Sequence, residues 1–137
     1  MAEGIFNHLI NQMDLSHPVA CDSAGTAGFH IDCQPDIRAQ QICRNHNIEL
    51  RHKARIITAD DFNHFDMIVS MDRSVFDTVK RMAPEGYSSQ LVLMRKYDDT
   101  ADSEDVPDPY YGSIRNFEEV FDILMRSCTN FVRQHLR

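Results

Sequence analysis

The chain has 137 residues, 42% of them hydrophobic and 26% charged, enough for one compact domain with a single core and too few for two. Five Gly, five Pro and no low-complexity tract exclude a disordered, collagen-like or repeat chain, and a net charge of −7 with scattered Lys and Arg argues against a nucleic-acid-binding face. No apolar run approaches the roughly 18 residues of a spanning helix and no secretory signal opens the chain, so the expectation is a cytoplasmic protein without a membrane partner.

Ile5, Phe6, Leu9, Ile10 and Met13 recur at helical spacing and predict an amphipathic helix over about residues 2 to 13. No Ser, Thr, Asp or Asn cap precedes it, so the chain reads as if it starts inside an element. Pro18 to Cys21 reads as a short buried strand, followed by a loop of small and turn residues from Asp22 to Gly28. Pro35 at a first-turn position, then Ile37, Ile42 and Cys43, predict a second helix over about 35 to 46. Met67 to Met71 is a buried strand closed by Asp72. Val75, Phe76, Val79 and Met82 then continue at helical spacing, and Leu91 to Met94 is a third strand.

Between Asp98 and Asp108 stand six carboxylates, Pro107 and no basic residue, which predicts a long solvated loop. The last helix, about 116 to 135, carries Phe117, Val120, Phe121, Leu124, Cys128, Phe131 and Val132 on one face. Helices alternating with short apolar strands imply an α/β fold, a three-layer sandwich with a parallel sheet covered on both faces. Such folds normally open with a strand, and here none precedes the first helix. Cys21, Cys33, Cys43 and Cys128 lack C-x-x-C spacing and read as free thiols of a reducing compartment. His46 and His52, six apart, do not share a helix face, so no metal site is expected.

Met1-Ala2-Glu3-Gly4-Ile5-Phe6, Asp22-Ser23-Ala24-Gly25-Thr26, Pro35-Asp36-Ile37-Arg38-Ala39, His52-Lys53-Ala54-Arg55, Asp61-Phe62, Phe65-Asp66, Met71-Asp72 and Asp108-Pro109-Tyr110-Tyr111-Gly112 occur in order over nearly the whole chain. Together they resemble the low-molecular-weight protein tyrosine phosphatases. The resemblance implies a single phosphotyrosine phosphatase I-like domain over residues 1–137 that hydrolyses phosphotyrosine proteins or small aryl phosphates to inorganic phosphate, with no cofactor. It implies Asp108 as the general acid and base, with Phe29, Tyr110 and Tyr111 as the wall for the substrate ring. Glu3, Asp22, Ser23, His52 and Asp72 are implied as supports of the phosphate-binding loop.

That family attacks phosphorus with the cysteine of a C-x5-R-S loop, which follows its first strand. Six residues beyond the four cysteines stand Ala27, Ala39, Glu49 and Gln134, so no C-x5-R occurs within the 137 residues. The expectation is therefore an N-terminally incomplete chain, lacking the first strand and the phosphate loop and inactive as it stands. Two alternatives accompany this reading: a natural truncated isoform serving as a binding or decoy module, and an arsenate reductase of the same fold. If the resemblance holds, Met1 to Glu3, the segments near Asp22 and Asp72, and the loop from Asp108 to Tyr111 face one basin at the carboxyl ends of the strands.

Overall fold

A computed structural model describes residues 1–13, 18–28 and 32–136. The elements are α1 (Ala2–Asn11), α2 (Ile37–Asn45), α3 (Asp61–His64), β1 (Met67–Ser70), α4 (Arg73–Met82), β2 (Gln90–Leu93), a 3₁₀ turn (Met94–Tyr97) and α5 (Ile114–His135). β1 and β2 pair in parallel, Met67 opposite Gln90 through Ser70 opposite Leu93, with α4 as their crossover. An isolated parallel bridge joins Gly25 to Ile56.

Alternation along the strands builds two apolar layers, because successive side chains leave a strand on opposite faces. Met67, Val69 and Val92 pack on the main core, where Ile5 of α1, Ile42 and Cys43 of α2, and Phe117, Phe121, Leu124, Cys128 and Phe131 of α5 meet. Ile68 and Leu91 pack the other way, against Ile57, Phe62, Val75 and Val79. The sheet is thus covered on both faces, α1, α2 and α5 on one side and α3 and α4 on the other, as the strand pattern implied. No helix among the described residues is long and apolar enough to cross a membrane.

Several expected boundaries move, each for a local reason. Residues 18–21 form no strand: Pro18 has no N–H to donate, and pairing begins only where the Gly25 N–H reaches Arg55 O at 2.8 Å. The α1 helix ends at Asn11, before Met13. Pro35 lies outside α2, whose cap is Asp36 accepting the Arg38 N–H at 2.8 Å. Ser113 caps α5, with its own N–H held by Asn116 Oδ1 at 2.9 Å, so α5 begins at Ile114 and not near 116. Met94 opens the 3₁₀ turn and does not close β2.

The acidic stretch after β2 is not wholly solvated. The Asp98 side chain has no exposed surface and is shared by Arg95 and Arg126, each 3.1 Å away. Arg95 also donates to Asp105 O at 2.7 Å, drawing the loop inward. The cations that neutralise the run stand outside it, on the 3₁₀ turn and on α5. Burial alone would raise the Asp98 pKa. Hydrogen bonds from Arg126, from the Thr100 backbone and hydroxyl, and from Arg95 prevail and hold it at about 2.

A depressed carboxylate stabilises the fold above its unfolded value of about 3.9, and that contribution is lost as pH falls toward 2. Asp98→Asn should therefore lower unfolding free energy by about 2–3 kcal/mol at pH 7. Urea titrations of both proteins should show this gap closing as pH falls from about 4 toward 2. A gap independent of pH would mean that the ionised pair is not what Asp98 contributes.

Candidate active site

Side chains from distant parts of the chain line one open cleft of about 1170 Å³. The first contributor is the start of α1, where Met1 stands at the N-cap without a side-chain hydrogen bond. The first-turn N–H groups therefore lack a capping side chain, at the helix end that carries partial positive charge. Met1 and Glu3 both line the cleft.

The second contributor is a relay of paired side chains. His52 Nδ1 lies 3.4 Å from Glu3 Oε1 and 3.3 Å from Asp22 Oδ1. Asp22 accepts the Ser23 N–H at 2.8 Å and pairs with Arg55 Nε at 3.0 Å. Arg55 then makes a bidentate pair with Asp61, at 2.9 and 3.0 Å. These hydrogen bonds from Arg55 outweigh burial and hold the Asp61 carboxyl below its ordinary range. The relay runs from α1 to the start of α3 and fixes His52 and Ser23 at the cleft wall. Glu3, Asp22 and His52 also form the one group of three metal-ligand side chains found among the described residues. Their mutual pairing and the Arg55 contact already account for that arrangement.

The third contributor is the loop before α5. Asp108 is exposed, and its Oδ1 accepts the Tyr110 N–H at 3.0 Å. The Gly112 N–H closes the turn onto Pro109 O at 2.8 Å. Tyr110 is half exposed and Tyr111 almost fully so, their rings edge to face with centroids 4.9 Å apart. Asp108, Tyr110 and Tyr111 line the same cleft as Met1 and Glu3. One basin thus holds a carboxyl group, two aromatic faces and a helix pole that attracts anions.

Asp72 stands apart from this wall. Its carboxylate caps α4 by accepting the Val75 N–H at 2.7 Å, and no arginine pairs with it among the described residues. Phe29 lies outside the described residues. The roles of Arg55 and Asp61 escaped sequence reasoning, because an Arg and an Asp six residues apart have no regular-element meaning and the pair forms only through the turn at Thr58.

The surroundings of the thiols decide their reactivity. Burial, then the charges of Glu3 and Asp22, push Cys21 up to about 12; burial pushes Cys128 up to about 12 and raises Cys43 as well. Cys33 is exposed on the cleft, with Ala39 and not Arg six residues on.

With this geometry in hand, comparison with known proteins decides the family. The family model for the low molecular weight phosphotyrosine protein phosphatases matches residues 1–137. The chain belongs to that family. It is 34% identical to low molecular weight phosphotyrosine protein phosphatase 2 of Drosophila melanogaster, over 98% of this chain and 82% of the relative. The human low molecular weight phosphotyrosine protein phosphatase is 33% identical, over 98% of this chain and 85% of its own length. The crystal structure of a protein tyrosine phosphatase from Entamoeba histolytica with Hepes in its active site superposes with a TM-score of 0.91. It is 31% identical, and the match covers 97% of this chain and 85% of that one. The parallel-sheet α/β architecture is therefore that of the low-molecular-weight phosphatases.

The thiol environments make a direct prediction. Alkylation of the native chain near pH 7.5, followed by peptide mapping, should label Cys33 first, and Cys21, Cys43 and Cys128 only on unfolding. Fast labelling of Cys21 in the folded protein would show a thiolate beside Glu3 and Asp22, which their charges disfavour.

Proposed function

We propose that the cleft is the substrate site of a phosphotyrosine phosphatase in which Asp108 is the acid and base of the reaction. The observation that carries this reading is that Asp108, Tyr110 and Tyr111 line the same cleft as the uncapped start of α1, although they come from opposite ends of the chain. In this proposal the ring of a phosphotyrosine packs on Tyr110 and Tyr111, with Phe29 as a further wall residue. The phosphate dianion faces the α1 pole.

The chemistry asks for two proton transfers at one carboxyl group. A thiolate attacks phosphorus, and the departing phenolate, whose conjugate acid has a pKa of about 10, takes a proton from Asp108. The Asp108 carboxylate then removes a proton from the water that cleaves the cysteinyl-phosphate, releasing inorganic phosphate. Such transfers are typically worth about 10²–10⁴ in rate. Glu3, Asp22, Ser23 and His52 support the phosphate loop through the relay described above. Asp72 would orient the loop's arginine beside its capping bond.

The thiolate itself is not among these residues: no Cys is followed six positions on by Arg, and Cys21, Cys43 and Cys128 are held protonated. The 137 residues thus supply the acid, the ring wall and the support, and are inactive as a chain by themselves. Four free thiols suit a reducing compartment, and we place the protein in the cytoplasm.

The test is kinetic. The 137-residue chain should not hydrolyse p-nitrophenyl phosphate above a buffer blank, and a chain carrying a strand and C-x5-R-S ahead of Met1 should. In that chain Asp108→Asn should lower kcat/KM, which ends at departure of the phenolate, by about 10² or more for phenyl phosphate and much less for p-nitrophenyl phosphate, because a good leaving group needs no proton. Equal losses on both esters would make Asp108 a structural residue.

A further inference from the structure

Arg38, in the first turn of α2, reaches across to the loop that carries Asp108, and we infer that it is the positioning residue of that loop. The inference rests on Asp108 acting as the acid, and it adds what holds that acid in place. Arg38 Nη1 donates to Gly112 O at 2.8 Å and Nη2 donates to Tyr110 O at 2.7 Å. On its other side the guanidinium forks onto Asp36, Nε to Oδ1 at 3.2 Å and Nη2 to Oδ2 at 3.0 Å. One bond from Nε, one from Nη1 and two from Nη2 make four of its five possible donations. Its Cζ also lies 4.5 Å from the ring centroid of Phe117, a buried residue in the first turn of α5.

The contact reaches the acid through one residue. The Tyr110 carbonyl is held by Arg38, and the Tyr110 N–H is the donor that the Asp108 carboxylate accepts at 3.0 Å. Fixing the residue that donates to Asp108 restricts where its oxygen can sit. The Gly112 carbonyl, two residues on, is fixed by the same guanidinium, so Tyr111 is displayed from a turn held on both sides. Asp36 has a double duty: it caps α2 through the Arg38 N–H and aims the Arg38 head. A lysine cannot replace this arrangement, since one ammonium has neither the planar fork nor the reach to span a carboxylate and two carbonyls together.

Acid catalysis is sensitive to such placement, since a displacement of about 1 Å can lower a rate by about 10². Arg38 touches no reacting atom, so its effect is confined to steps in which Asp108 moves a proton.

Nuclear magnetic resonance on the 137-residue chain tests the clamp without any turnover. In the native protein the Tyr110 and Gly112 amides, hydrogen-bonded to Asp108 Oδ1 and Pro109 O, should be protected from exchange. Arg38→Lys, which keeps the charge and the alkyl stem over Phe117, should speed exchange of both amides roughly tenfold or more. Asp36→Asn, which keeps a good helix cap and removes the fork's anchor, should give an intermediate acceleration. Arg44→Lys on the same helix should change neither. In the chain that also carries C-x5-R-S, Arg38→Lys should lower kcat/KM for phenyl phosphate, which reports the step in which Asp108 protonates the leaving group, by about 10–10², with kcat/KM for p-nitrophenyl phosphate within about twofold.

Unchanged exchange of the Tyr110 and Gly112 amides in folded Arg38→Lys would overturn the inference. A gain of leaving-group discrimination confined to Asp108→Asn, with Arg38→Lys behaving as the native protein, would overturn it too. A failure of Asp108→Asn to discriminate between leaving groups would instead remove the acid assignment, and the Tyr110 and Gly112 signals would still report whether the clamp exists.

Discussion

A carboxylate with no exposed surface has to be paired, and the pairing of Asp98 with Arg95 and Arg126 organises the loop on which the candidate site depends. Breaking it would leave a charge buried in the seam between the 3₁₀ turn and α5. From this knot the chain is led outward by fixed contacts: Arg95 holds Asp105 O, the Asp105 side chain accepts the Arg73 N–H at 2.8 Å, and the Val106 N–H reaches Met71 O at 2.8 Å. The segment is thereby laid across the end of β1 before it arrives at Asp108. Beyond Asp108 the turn is held again, by Arg38 and by the Ser113 cap of α5. A long stretch without regular structure is thus anchored at both ends, which is what the role proposed for Asp108 requires.

The same economy of contacts appears on the opposite wall of the cleft. Arg55 gathers Asp22 and Asp61, and through Asp22 and His52 it reaches Glu3 on α1. Each wall is thus built round one arginine whose planar head serves several carboxylates or carbonyls. The basin between them lies beside the start of α1, where the helix pole favours an anion.

Much of this fold could be read from residue pattern. The α5 helix was legible because Phe117, Phe121, Leu124, Cys128 and Phe131 repeat at helical spacing, and β1 and β2 because short apolar runs are bounded by polar residues. The α3 helix, four residues with one apolar side chain, has no period to detect, and the strand expected at 18–21 found no pairing partner. Asp98 looked solvated because local charge counting does not see Arg126 arrive from another element. In the site, Asp108 followed by Pro109 reads locally as a turn opener. The role proposed for it comes only from the family resemblance. Arg38 was legible as a helix residue, but the two carbonyls it grips carry no sequence signature at all.

The central proposal is a division of labour, in which the residues lining this cleft would supply the acid, the ring wall and the support of a phosphatase site, and none of the chain's four cysteines the thiolate. Trapping the covalent intermediate tests it most directly. The chain is mixed with excess aryl phosphate, quenched in acid within milliseconds, and digested for phosphopeptide mapping. The account predicts no phosphoryl group on Cys21, Cys33, Cys43 or Cys128, and a single phosphocysteine within the C-x5-R-S segment when that segment is present. A phosphoryl group on any of those four cysteines would contradict it.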